Sequence, residues 1–200
     1  RSQAIFEQSP DYASLQIDCT NAFGSLHRIP IFTELFKHSA LSRLWKLSHF
    51  FYSKPNGAIV SMEDGTKEVV LIHTGGLQGD PLFPFLYSLT LHPVYMPSIN
   101  DSKDPDDLFP SAVLDDFSVV GKVHNLIEVF DSFTSRAKAI GLSINNKSIL
   151  LTKSTFIPPI DFSYAISARS PLSLQVGGSI EKLGSRFGER CQDDHVWLSK

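Results

Sequence analysis

The stretch that most constrains this chain is Ala112-Val-Leu-Asp-Asp-Phe-Ser-Val-Val120, where two adjacent carboxylates interrupt an apolar run. Burying an unpaired charge costs far more than a core strand returns. The chain therefore has to turn back at the acids, and the run reads as a tight β-hairpin with Asp115 and Asp116 at its tip. In a straight strand the two side chains would point to opposite faces. A turn lets both approach one point, where like charges repel unless a cation lies between them. Ser14-Leu-Gln-Ile-Asp18 is a second strand-like run that ends on an acid. There is also a plain alternative: Asp-Asp is a common turn pair, and a strand-end Asp often caps the following helix. The acids alone leave both readings open.

The remaining pattern supplies a frame. Cys19 to Gly24 reads as a turn, followed by helical spacing over Ile29–Leu35 and Leu41–Phe51. In the second helix Leu41, Leu44, Trp45, Leu47 and Phe51 are expected to share the buried face. Ala58–Met62 and Glu68–Ile72 flank Asp64-Gly65 as a hairpin. Gly75 to Pro81 is a loop, and Leu82–Val94 a helix with Asp80 as its N-cap. Asp101–Asp107 is a polar loop, Val123–Ile140 a helix ended by Gly141, and Ile144–Leu151 a strand. Beyond Lys153 the pattern weakens, with Pro158, Pro159 and Pro171 interrupting it. The order β-α-α-β-β-α-β-β-α-β indicates an α+β fold, with helices packed on one face of an antiparallel sheet.

The chain has 200 residues, 42% hydrophobic and 20% charged, enough for one domain with a real core. Its formal net charge is -3, without the basic excess that a phosphate-binding groove brings. Either it binds no nucleic acid or the basic part lies outside it. Cys19 and Cys191 have no metal-ligand spacing, so a reducing, intracellular setting is expected. The first residues hold no hydrophobic h-region and no apolar run reaches membrane-spanning length, so neither a signal peptide nor a membrane partner is expected. The chain opens on Arg1 rather than Met, and a piece of a longer protein is expected.

Four motifs in order resemble those of reverse transcriptases. Leu15-Gln-Ile-Asp18-Cys-Thr-Asn-Ala-Phe23 is similar to motif A, in the variant of retroelement enzymes of the non-LTR-retrotransposon kind. Gly75-Gly-Leu-Gln78-Gly79-Asp-Pro-Leu82 looks like motif B, with Leu91-His-Pro93 in the helix that follows. Val113-Leu-Asp115-Asp116 takes the place of motif C, and Gly141-Leu-Ser-Ile-Asn145-Asn-Lys147 that of motif D. The resemblance covers about residues 10–155 and implies a polymerase palm at 1–155, with 156–200 extending the palm into the next element.

The resemblance assigns roles at matching positions. Asp18 and Asp115, with Asp116 beside them, would ligate two Mg²⁺ ions, with Mn²⁺ as a substitute. Phe23, five positions after Asp18, would block a ribose 2′-hydroxyl and so argue for a DNA product. Gln78 and Gly79 would lie along the nascent base pair, where Gly permits close backbone approach. Lys147 would reach the triphosphate and protonate the leaving pyrophosphate. Backbone N–H groups from Cys19 to Phe23 would face the phosphates. The implied partners are an RNA template, a DNA primer and deoxynucleoside triphosphates. Fingers and thumb regions are expected in the parent chain.

Departures from the family are Val113 in place of an aromatic, Leu77 in place of a basic residue, and a tighter motif D. They touch no proposed ligand but bear on turnover. A catalytically inactive palm fragment serving as a structural or interaction module is the second reading, and an unrelated α+β binding domain the third.

Overall fold

Leu15 and Ile17 organise the main sheet, because both are fully buried and both have apolar partners on the neighbouring strands. The structure, a computed structural model, describes residues 2–77, 79–158, 160–182 and 185–188. In chain order its elements are α1 (Ser2–Gln8), β1 (Tyr12–Ile17), α2 (Ala22–Ser25), α3 (Arg28–Lys37) and α4 (Ser42–Tyr52). Next come β2 (Asn56–Ser61), β3 (Lys67–Ile72), α5 (Phe83–Asn100), β4 (Phe109–Val113), β5 (Asp116–Lys122) and α6 (Val123–Ala139). The last are β6 (Ile149–Thr152), α7 (Ile160–Ser167), β7 (Ser173–Val176), β8 (Ser179–Lys182) and β9 (Ser185–Gly188). The chain divides into two compact units, residues 1–19, 96–135 and 144–200, and residues 20–95 and 136–143.

The first unit holds a five-stranded sheet in the order β4-β5-β1-β6-β7, antiparallel except for the β6–β7 pair. Its register sets Leu15 against Val119 and Leu150, and Ile17 against Phe117. On that face Phe117 stacks on Phe133 of α6, with ring centroids 5.2 Å apart. The other face is covered too. Val120 and Leu151 pack with Ile5 and Phe6 of α1 and with Ile180 and Phe187 of the β8–β9 hairpin. Each such side chain taken from water stabilises the fold by about 1.5–3 kcal/mol. The α+β expectation holds, with additions where the sequence pattern was weak: β7 joins the sheet, and α1 and β8–β9 cover its second face.

The second unit carries α3, α4 and the β2–β3 hairpin. Here α4 departs from expectation. Ser48 and Tyr52 are its buried residues, whereas Leu47 and Phe51 are exposed. Leu41, Leu44 and Trp45 are half-buried as expected, but the stripe continues through Ser48 and Tyr52 instead of Leu47 and Phe51. α5 is longer than expected, continuing through Pro93 and Pro97 to Asn100. The expected Ile144–Leu151 strand is broken instead: Ile144 makes one isolated bridge to Cys19, a turn follows, and β6 starts at Ile149. No helix among the described residues is long and apolar enough to cross a membrane.

Candidate active site

β1 ends at Ile17 opposite Phe117, so the next residues along the neighbouring strands are Asp18 and Asp116. The backbone of Asp18 is pinned from the β6 side. Its N–H donates to Ser148 Oγ at 3.0 Å, and its carbonyl accepts from Asn145 N–H at 2.7 Å and from Ser148 Oγ at 3.2 Å. The same turn positions Lys147, whose N–H donates to Asn145 Oδ1 at 3.2 Å. The segment that broke the expected strand thus ties Lys147 to Asp18.

The β4–β5 hairpin closes with Val113 paired to Asp116, leaving Leu114-Asp115 as a two-residue turn. Leu114 has φ 54, a left-handed conformation that costs a residue with a Cβ about 1–2 kcal/mol. Turns of this length usually meet that demand with Gly, Asn or Asp. Asp115 and Asp116 are both half-buried. Val113 is 48% exposed, so nothing covers it as a core residue.

These charges act on Asp18. Burial pushes its carboxyl above the ordinary value, Lys147 pulls it down, and Asp115 and then Asp116 push it up again. Burial also pushes the neighbouring Cys19 thiol up to about 12, with Asp18 and Asp115 reinforcing the effect. Cys19 is therefore a neutral, buried thiol near neutral pH. Any contact it made with a substrate would come from its backbone. Thr20 N–H is already committed to Ser143 O at 2.9 Å, which removes it from the amides expected to face a triphosphate.

The donor chemistry suits a hard divalent cation, because the charges of Asp115, Asp116 and Lys147 all reach the Asp18 carboxylate. Among the described residues, no three His, Cys, Asp or Glu side chains come close enough to form a ready-made metal cage. Mg²⁺ does not need one. It takes one or two carboxylates and fills its shell with water and substrate phosphates. An open group of acids fits that requirement.

The second unit contains the other expected residues. Phe23 is half-buried, with its ring 4.6 Å from Tyr87 and 5.7 Å from Phe83 between centroids. The Gly75–Asp80 loop begins against the same segment: Gly76 N–H donates to Phe23 O at 3.2 Å and Gly75 N–H to Leu26 O at 2.7 Å. A Cβ on Gly75 would stand 2.0 Å from Phe23 O, so that glycine is required. Gly79 is exposed at φ +92 with no atom within 4 Å of a Cβ position. Gln78 lies outside the described residues. Asp80 caps α5 as expected, its Oδ1 accepting from Leu82 N–H at 2.9 Å and Phe83 N–H at 3.3 Å.

No family model matches the chain, and no curated protein does. Solved structures do. Apo telomerase from Candida tropicalis aligns over 76% of this chain and 30% of its own, with TM-score 0.59 and 11% identity. The same telomerase truncated from its C-terminal domain aligns over 72% and 31%, with TM-score 0.57 and 14% identity. The fold is reverse-transcriptase-like. Telomerase from Candida albicans, in complex with a fragment of telomeric RNA, adds TM-score 0.58 at 16% identity over 80% of this chain and 29% of that one. The chain spans about a third of the length of these structures.

Three residues that matter locally carry no sequence signal. Ser148 is a buried serine that in sequence looks like any other small polar residue. Arg28 and Tyr52 lie just outside the expected helical segments Ile29–Leu35 and Leu41–Phe51, where nothing in the pattern marks them as buried.

Proposed function

We propose that this chain is the palm of a retroelement-type RNA-directed DNA polymerase, which extends a DNA primer on an RNA template. The observation that carries the reading is the gathering of Asp18, Asp115, Asp116 and Lys147 in a reverse-transcriptase-like fold. Asp18 and Asp115 would hold two Mg²⁺ ions, or Mn²⁺ in their place, with Asp116 alongside. The chemistry such ions supply is activation of the primer 3′-hydroxyl and neutralisation of charge on the leaving oxygen. The hydroxyl oxygen bonds to the α-phosphorus of a deoxynucleoside triphosphate as the bond to pyrophosphate breaks. Lys147, beside Asp18, would give the pyrophosphate its proton. Phe23, held by Phe83 and Tyr87, would present a rigid ring where a ribose 2′-hydroxyl would have to fit.

The nucleic-acid partners have a physical basis in α4. From Phe36 to Met62 the chain has no acid, although its net charge is -3. Arg43, Lys46 and the strongly exposed Phe50 lie along one exposed face of this helix. That combination suits phosphates and an unstacked base.

The second reading is an inactive palm kept as an interaction module. It is favoured by the exposed Val113 and by the lack of a ready-made metal cage among the described residues. Primer extension separates the two. The full-length parent protein, given poly(A)–oligo(dT) and Mg²⁺ or Mn²⁺, is expected to add deoxynucleotides, and Asp115→Ala to lower the rate by about a thousandfold or more. Extension that is absent, or equal in both proteins, leaves the inactive module.

A further inference from the structure

Arg28 is a buried cation that the reaction above does not use. It is 8% exposed, and burial lowers its pKa. Nε donates to Gly75 O at 3.0 Å, Nη1 to Lys54 O at 2.6 Å and to Tyr52 O at 3.3 Å, and Nη2 to Asn56 Oδ1 at 2.8 Å. None of these acceptors is a carboxylate. The guanidinium therefore fixes three backbone carbonyls and one side-chain amide, all neutral, and its planar fork suits several acceptors at once.

Tyr52 extends this network to the far end of the loop. The Arg28 guanidinium carbon lies 5.9 Å from its ring centroid, and its hydroxyl donates to Asp80 Oδ2 at 2.5 Å. Burial and the Asp80 carboxylate push the phenol upward, so it stays protonated and remains a donor. The other oxygen of Asp80 caps α5. The Gly75–Asp80 loop is thus fastened at both ends by one network, Gly75 through Arg28 and Asp80 through Tyr52. The Tyr52 ring also packs on Phe83 at 5.8 Å, and Phe83 packs on Phe23.

We infer that Arg28 and Tyr52 are positioning residues that set the Gly75–Asp80 loop for a nucleotide. For the identity of that ligand the inference rests on the polymerase reading. Tyr52 acts in two ways: its hydroxyl sets the loop through Asp80, and its ring supports Phe23 through Phe83.

Those two actions can be measured apart. The probe is deoxynucleotide affinity of the full-length parent on primer–template, with Ca²⁺ replacing Mg²⁺ to prevent turnover. Tyr52→Phe keeps the ring and loses the hydroxyl. It is expected to weaken deoxynucleotide binding about tenfold, the usual size for a hydrogen bond to a charged group, and to leave the ribonucleotide-to-deoxynucleotide affinity ratio unchanged. Tyr52→Ala loses both and is expected to lower the discrimination as well. Arg28→Lys, which cannot span four acceptors, is expected to weaken binding at unchanged discrimination. Unaltered affinity in Tyr52→Phe and Arg28→Lys would overturn the inference. Hydrogen exchange of the Leu82 and Phe83 amides reports on Asp80 whatever the chain binds. Faster exchange in Tyr52→Phe, with no nucleotide bound by wild type, would keep the clamp and overturn the polymerase reading. Unchanged exchange would overturn the clamp itself.

Discussion

β2–β3 and β4–β5 are both antiparallel hairpins closed by short acidic turns, yet their surroundings differ sharply. β5 is buried from Phe117 to Gly121, because β1 and β4 pair with its two edges and side chains cover both faces. In β2–β3, by contrast, Ile59, Val69 and Leu71 stand 72%, 67% and 57% exposed. The turns differ in the opposite sense. Gly65 takes its φ of +84 freely, and Asp64 Oδ1 accepts from Thr66 N–H at 2.9 Å. Leu114 takes φ 54 against its own preference. The exposed hairpin obeys the turn rules and carries no expected site residue. The buried one breaks them next to Asp115 and Asp116. Local strain of this kind persists only where the surrounding structure over-determines it, and it tends to gather at functional sites.

The widest test of this contrast is one substitution made in each hairpin. Val119→Asp puts a charge at a fully buried position in β5 and is expected to cost more than about 4 kcal/mol, enough to unfold a marginal domain. Val69→Asp on the exposed hairpin is expected to change stability by no more than about 0.5 kcal/mol. Denaturant midpoints decide it, and similar losses at both positions would mean that Val69 is covered in solution. The turns give a smaller effect of opposite sign. Gly65→Ala is expected to destabilise by about 1 kcal/mol, and Leu114→Asn to stabilise by about 0.5–1 kcal/mol, since Asn tolerates left-handed φ. A loss at Leu114→Asn would show that the leucine's contacts outweigh its strain.

The smallest effect is in the pH dependence. Asp18 has its folded pKa raised from 3.8, chiefly by burial. The folded state therefore binds its proton more tightly than the unfolded state does. That favourable contribution is complete below the unfolded value and is lost as pH rises through the folded one. Asp18→Asn is expected to gain stability over wild type near neutral pH without metal, the gain fading as pH falls through the raised folded pKa and gone below the unfolded value of 3.8. A gain that is constant across pH would assign the effect to packing instead of charge.

Parts of this were legible in the sequence for physical reasons. Leu15 and Ile17 lie in a run buried on both faces, and such runs announce themselves as strands. Asp80 before an apolar helix is a local signal, and its two capping bonds are present. The face of α4 was not legible, because hydropathy ranks what a residue prefers and not which face finds a partner. Tyr52 is buried there with its hydroxyl on Asp80, while Phe51 remains outside. Arg28 runs against composition altogether, since arginine is rarely buried without an acid. The Asn145–Ser148 turn reads as strand in the sequence because Ile144 and Ile149–Leu151 are apolar on either side of it. The bonds that define it reach back to Asp18, more than a hundred residues away in sequence.

The proposed function requires that the strained hairpin bring Asp115 and Asp116 close enough to Asp18 for the three to share divalent cations. Titrating Mn²⁺ into the protein and reading the free ion by electron paramagnetic resonance tests it without any need for turnover. Wild type is expected to take up Mn²⁺ with an affinity that Asp18→Asn and Asp115→Asn each lower by about tenfold or more, as loss of a ligand should. Equal uptake by wild type and both variants would contradict the account and return these aspartates to the role of turn residues.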